Sequence, residues 1–203
     1  MIHPHLEQAA ALIRAGRLVA FPTETVYGLG ANALDPRAVA RIYEVKGRPP
    51  SSPVIVHVCS VEMARRLAAA WPEKAALLAE RFWPGPLTLV LPKQALIPDN
   101  VTAGLPTAGL RMPAHPLALA LIETSGCPIA APSANRFTEL SPTSAEHVRK
   151  SLGDAVDLIL DGGSTPVGIE STVLSLAADP PVLLRPGMIT REEIGRASCR
   201  ERV

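Results

Sequence analysis

Apolar positions along this chain fall into two rhythms, and the switches between them predict the elements. Leu6, Ala9, Ala10 and Ile13 recur at helical spacing and stop at Gly16, which predicts an amphipathic helix over 6–15. The run Leu18-Val19-Ala20-Phe21 predicts a short buried strand broken by Pro22, and a second apolar run spans Val26 to Ala31. Asp35-Pro36 is an N-cap with proline at the first helical position, opening a helix through Ile42 and Val45 to Lys46. Val54 to Val58 is almost wholly β-branched and reads as a buried strand. Ser60 caps a helix to about Ala70, Pro72 starts another reaching Phe82, and Leu87 to Leu91 returns to a strand. Gly109 to Met112 ends a strand, His115 to Ser125 is helical up to Gly126, and Ile129 to Ala131 is a short strand. Thr143-Ser144-Ala145-Glu146 reads as a capping box for a helix to Leu152. Strands follow at Val156 to Leu160, Thr172 to Leu176 and Val182 to Leu184, and a second capping box at Thr190 to Glu193 opens a last helix.

Helices alternate with strands, but some strand pairs have no helix between them. The pattern predicts an α/β or α+β fold on a mixed sheet. The 203 residues suffice for one large core, and neither a repeat nor a linker divides them. Residues 195–203 (GRASCRERV) lose the apolar period, so the folded domain is expected over 1–194 with a non-native or disordered tail after it. Twenty-one prolines border the apolar runs, which stiffens the loops between elements.

Net charge is only +1, which argues against a protein that coats nucleic acid, so any basic site must be local. Cys59, Cys127 and Cys199 form no CxxC and leave one over, which fits reduced thiols in a cytoplasmic setting. No apolar run approaches a membrane span, and the start of the chain lacks an export pattern.

The chemistry concentrates at Lys46-Gly47-Arg48-Pro49-Pro50-Ser51-Ser52-Pro53. Gly47 suits a left-handed C-cap, and the prolines hold the following backbone extended. That places an ammonium and a planar guanidinium fork on a stiff loop, suited to a polyphosphate or a carboxylate. Taken alone, the stretch reads first as a solvated basic turn. His57 sits inside a β-branched strand, where its ring needs a partner. Arg111 and Arg185 close apolar strands, where sheets of this class bind ligands. Five cationic donors at element ends in a near-neutral chain favour convergence on one anion. The hydroxyl-rich turns Pro22-Thr23-Glu24-Thr25, Pro132-Ser133-Ala134-Asn135 and Gly168-Ile169-Glu170-Ser171-Thr172 each leave or enter a strand, as a cap would or as a ligand loop would. Gly28 to Ala33 matches G-x-G-x-x-A by letter, but the next helix starts late and no acid lies about 20 residues on, so close backbone packing is the better account. His3 and His5 flank Pro4 and read as exposed.

The segments FPTETVYGLGANA (21–33), KGRPPSSPVIVHV (46–58), FWPGPLTLVL (82–91), GLRMPAHP (109–116), PIAAPSAN (128–135), DGGSTPVGIESTV (161–173) and LLRPG (183–187) together resemble the YrdC-type threonylcarbamoyl-AMP synthases. The paired K-x-R and S-x-N signature is Lys46, Arg48, Ser133 and Asn135. The resemblance covers residues 5–194 and implies a twisted mixed sheet flanked by helices around a large basic cavity. It implies synthesis of threonylcarbamoyl-adenylate from L-threonine, bicarbonate and ATP, with release of pyrophosphate. A partner complex would then transfer the threonylcarbamoyl group to tRNA. Carried over by position, Lys46 and Arg48 are catalytic; Thr25, His57, Arg111, Ala131 and Ser171 bind threonine. Arg48, Ser52, Thr107, Ser133, Asn135, Ser141 and Arg185 bind ATP. Mg²⁺ arrives on the ATP phosphates, and no protein metal cluster is implied. Longer members of the family carry a second domain after a linker, and this chain stops near where that linker would begin. Two alternatives stand beside this reading. One is a non-catalytic module binding RNA weakly in the same concavity. The other is the carbamoyl-transfer domain of a hydrogenase-maturation factor, whose zinc-finger CxxC pairs are missing from this sequence.

Overall fold

The computed structural model describes residues 4–198. Its elements run α1 (Leu6–Arg14), β1 (Val19–Pro22), β2 (Tyr27–Asn32), α2 (Pro36–Lys46), β3 (Val56–His57), α3 (Val61–Leu67), α4 (Glu73–Phe82) and β4 (Leu87–Pro92). They continue with α5 (Asp99–Thr102), β5 (Thr107–Arg111), α6 (Pro116–Ser125), β6 (Ile129–Ala130), α7 (Ala145–Leu152), β7 (Leu158–Ile159), β8 (Thr172–Ser175), β9 (Val182–Arg185) and α8 (Arg191–Ser198). The strands form one mixed nine-stranded sheet in the order β7-β1-β2-β6-β3-β5-β4-β8-β9. The α/β class and the twisted mixed sheet flanked by helices are as expected.

Local chemistry accounts for most boundaries. Asp35 caps α2 by accepting from the Arg37 amide at 2.9 Å, and Gly47 ends it in the left-handed region at φ 61°. Ser60 caps α3 at the Met63 amide, 3.0 Å away. The cap of α7 falls one residue later than the box Thr143–Glu146 suggests, because Ser144 accepts from His147 at 3.3 Å. Thr190 and Glu193 form the second box reciprocally, each side chain accepting from the other's amide. Beyond it α8 continues through Ser198, with Ile194 buried and Ala197 packed on the core. Residues 195–198 are therefore helical rather than tail; residues 199–203, with Cys199, and residues 1–3, with His3, lie outside the described residues. His5 is exposed.

The strand expected over 54–58 pairs as a regular ladder only at Val56–His57, although the amide of Val54 donates to Val101 and that of Val58 to Arg111. Helix packing at the far end of the sheet is simple: α1 lies against α6, and both cover β1. Gly28 and Gly30 lie inside β2 and open no helix. A Cβ on Gly30 would stand 2.7 Å from the Phe21 ring and 2.8 Å from Ile129, so the glycine permits close packing across β1, β2 and β6.

Two pairings set the geometry of the site. Parallel β3 and β5 place His57 beside Arg111, and parallel β4 and β8 carry Thr88 to the Ser171–Val173 segment. The antiparallel β1–β2 turn then brings residues 23–26 to the same region.

Candidate active site

The β1–β2 turn is tied by one hydroxyl. Thr23 Oγ1 donates to the Val26 carbonyl at 2.7 Å and lies 2.8 Å from Thr25 Oγ1. Because Thr23 has spent its only proton, the Thr25 hydroxyl donates across that contact and is free to accept elsewhere. It accepts from Arg111 Nη2 at 3.0 Å. Arg111 is 4% exposed; Nη2 also donates to Glu24 Oε1 at 2.7 Å, and Nε donates to the Gly85 carbonyl at 3.3 Å. Burial pushes the Arg111 pKa down from its ordinary value, and the Glu24 charge pulls it back up. Beside it, His57 is buried and edge-on to Phe21, with its pKa lowered to about 3 by burial and then by the Arg111 charge. The imidazole is thus neutral at physiological pH, and its Nδ1 has no hydrogen-bond partner.

A second cluster gathers where β8 and β9 begin and end. Ser171 Oγ is 2.8 Å from Thr88 Oγ1 and accepts from Arg185 Nη2 at 3.1 Å, while Arg185 Nε donates to the Ser171 carbonyl at 3.0 Å. Arg185 Nη1 pairs with Glu170, whose other oxygen accepts from Ser141 Oγ at 3.3 Å. Gly187 makes this approach possible, since a Cβ there would meet the Thr172 amide at 2.5 Å and the Glu170 carbonyl at 2.7 Å.

Both clusters open on one cavity of about 380 Å³. Thr25, His57, Arg111, Ala131 and Ser171, expected around threonine, all line it. So do Arg48, Thr107, Ser133 and Arg185 of the expected nucleotide set. Lys46, Ser52, Asn135 and Ser141 stand behind that lining. Lys46 Nζ donates to the Ser133 carbonyl at 2.5 Å and to the Asn135 carbonyl. Burial and then the Arg48 charge lower its pKa to about 8. It ties the loop of residues 133–135 to the end of α2. Asn135 Nδ2 donates to the Arg136 and Glu139 carbonyls, leaving a buried Oδ1 without a partner. The Ser52 carbonyl accepts from Arg48 Nε at 3.4 Å.

The cationic character is narrower than a large basic cavity would require. Of the three arginines in the lining, Arg111 faces Glu24 and Arg185 faces Glu170. Arg48 donates only to the carbonyls of Ser52 and Pro53. A buried cation such as Arg111 needs a counter-charge, and Arg185, with its side chain 37% exposed, has one as well; neither acid stood out in the sequence as a partner for these arginines. The available signal was an acid beside a hydroxyl at a strand end: Glu24-Thr25 and Glu170-Ser171. Thr88, bonded to Ser171, had no such signal. Among the described residues no cluster of three or more His, Cys, Asp or Glu is arranged to hold a metal ion.

The family model Sua5/YciO/YrdC, described as telomere recombination, matches residues 11–187. The chain belongs to this family. Threonylcarbamoyl-AMP synthase of Pyrococcus abyssi is 59% identical over 186 residues, 92% of this chain and 55% of that protein. Threonylcarbamoyl-AMP synthase of Bacillus subtilis is 58% identical over 192 residues, 94% of this chain and 56% of that protein. The crystal structure of P. abyssi Sua5 complexed with L-threonine superposes with a TM-score of 0.93 at 57% identity, covering 95% of this chain and 56% of that one. The chain therefore spans a little over half the length of these relatives. Within the family signature, Lys46 and the Ser133–Asn135 loop are in direct contact, and the Phe137 amide donates to the Lys46 carbonyl at 2.8 Å.

Proposed function

We propose that this domain forms threonylcarbamoyl-AMP from L-threonine, bicarbonate and ATP, releasing pyrophosphate, for modification of tRNA. One observation carries the reading: Arg111, held beside neutral His57 and Thr25, shares a single cavity with Arg48 and Arg185. An amino-acid carboxylate and a polyphosphate therefore have donors within one cavity. The names of the relatives support threonine and ATP as substrates, and the threonine complex of the P. abyssi protein supports the amino-acid half.

The reaction explains why a nucleophile and base dyad is not needed. The threonine ammonium first loses a proton to solvent; the free amine then attacks bicarbonate, giving a carbamate and one water. A carbamate oxygen then attacks the α-phosphorus of ATP and expels pyrophosphate. Both nucleophiles belong to substrates, so the protein contributes orientation and charge. Arg111 Nη1, which has no hydrogen bond among the described residues, is the donor we assign to the threonine carboxylate. Neutral His57 offers an acceptor rather than a repelling charge to the threonine end. Arg48 and Ser133 face the nucleotide, and Arg185 exchanges Glu170 for phosphate oxygens. Lys46 acts by holding the Ser133–Asn135 carbonyls, with Ser52, Asn135 and Ser141 supporting the lining.

Mg²⁺ fits as a passenger on ATP. Glu170 is the one carboxylate of the lining and is already paired, so phosphate oxygens and water would supply most ligands. The ion would neutralise charge on the phosphates. A complex transferring the threonylcarbamoyl group to tRNA is the partner we assign, and the free thiols of Cys59 and Cys127 among the described residues fit a cytoplasmic setting. No helix among the described residues is long and apolar enough to cross a membrane. Among the described residues the lining carries no Phe, Tyr or Trp on which RNA bases could stack.

The test is pyrophosphate release with substrates omitted one at a time. Release should require ATP, threonine and bicarbonate together; release indifferent to threonine, or salt-sensitive RNA binding without release, contradicts the proposal.

A further inference from the structure

An amino-acid carboxylate and a triphosphate are both anions, and the cavity offers cations to each within about 380 Å³. Charge alone cannot sort them, because the denser anion wins at every unpaired cation. The arginines of the lining are not equivalent, however. Arg48 meets only backbone carbonyls, whereas Arg111 is met by the carboxylate of Glu24. Glu24 is itself fixed at both ends. Its Oε2 accepts from the Ala114 amide at 3.0 Å, and its backbone carbonyl accepts from the Val167 amide at 3.1 Å. It does not line the cavity, so it acts on a ligand only through Arg111.

We propose that Glu24 is a positioning and specificity residue, which occupies Arg111 Nη2 and cancels the Arg111 charge so that this part of the cavity accepts a zwitterionic amino acid and refuses phosphate. The proposal rests on the reading of the cavity as a threonine and ATP site. With Nε on Gly85 and Nη2 on Glu24 and Thr25, only Nη1 is left for a carboxylate. That fixes one approach direction where an unrestrained guanidinium offers a two-toothed edge. A zwitterion carries no net charge and loses little on meeting a neutral arginine–glutamate pair. A phosphate with two or more negative charges finds no net attraction there and is left to Arg48 and to Arg185, whose partner Glu170 lies in the lining with its side chain 37% exposed and can yield, as the pinned Glu24 cannot. Without the Glu24 charge, Arg111 becomes a buried unpaired cation, which pyrophosphate would fill in competition with threonine.

The experiment is calorimetric titration of L-threonine into the protein, with and without inorganic pyrophosphate, for the wild type, Glu24→Gln and Glu24→Asp. Wild-type threonine affinity should be unchanged by pyrophosphate. Glu24→Gln should bind threonine about tenfold more weakly and weaken further as pyrophosphate is added. Glu24→Asp keeps the charge but is one methylene too short to hold both Arg111 and Ala114. It should lose affinity yet stay insensitive to pyrophosphate, and it decides the matter if Glu24→Gln does not fold. Unchanged threonine affinity in the variants, or equal pyrophosphate sensitivity in all three proteins, overturns the role of Glu24. A wild-type protein that binds no threonine at all overturns the parent reading instead.

Discussion

At the scale of single residues, the three arginines of the site differ in burial and in partner, and removing each has different consequences. Arg48 is half-buried and bonded only to carbonyls, so Arg48→Ala should spare the fold while removing charge-assisted bonds worth about 1.5–3 kcal/mol each. Steady-state kinetics should show kcat/KM for ATP falling roughly 10–100-fold with an unchanged melting temperature. Arg111→Ala differs because it strands Glu24, whose side chain is 12% exposed. Breaking such a pair costs about 3–5 kcal/mol, so denaturant unfolding should register the loss as clearly as the activity does. His57 makes a pH prediction. Its folded pKa of about 3 lies below the ordinary value near 6.5, so the unfolded state takes up the proton first. Its contribution to stability is complete above about pH 6.5 and is lost as pH falls toward 3, at up to about 1.4 kcal/mol per pH unit. Unfolding curves at pH 7.5 and 5 should diverge more for the wild type than for His57→Gln; equal divergence would show that the ring is not buried neutral.

At the scale of elements, the helices and their caps were largely legible. Asp35, Ser60 and Thr190 cap where the local chemistry says they should, because a cap involves only four neighbouring residues. The short strands were less so: β3 and β6 are two residues each, and their extent depends on partners far along the chain. The same distance hid the roles of Glu24 and Lys46. Glu24 matters only because β5 brings Arg111 to it, 87 positions away, and the Ser133 carbonyl reaches Lys46 across a similar separation. The substrates were not legible in spacing at all; the resemblance supplied them. The glycines at strand contacts give a test at this scale. Gly187→Ala would drive a Cβ into the backbone of Glu170 and Thr172, which cannot swing aside as a side chain would. Overpacking of this kind should destabilise by about 1–3 kcal/mol and displace Ser171 and Arg185 from the cavity. Melting and threonine binding should both suffer, whereas Gly126→Ala, with open space around its Cβ, should affect neither beyond the strain of its left-handed backbone.

At the scale of the whole molecule, a near-neutral chain concentrates three arginines in one cavity and counters two of them with its own carboxylates. That arrangement suits small anionic substrates held in order better than a long nucleic acid held by its backbone. The domain spans a little over half of its P. abyssi and B. subtilis relatives. We propose that both bond-forming steps take place in this domain. The most direct measurement is mass analysis of the product made from ¹³C-bicarbonate, L-threonine and ATP by this chain alone. A single species containing adenylate, threonine and the labelled carbon is the predicted result. An adenylate of threonine lacking the label, or no adenylate product despite confirmed folding, would contradict it.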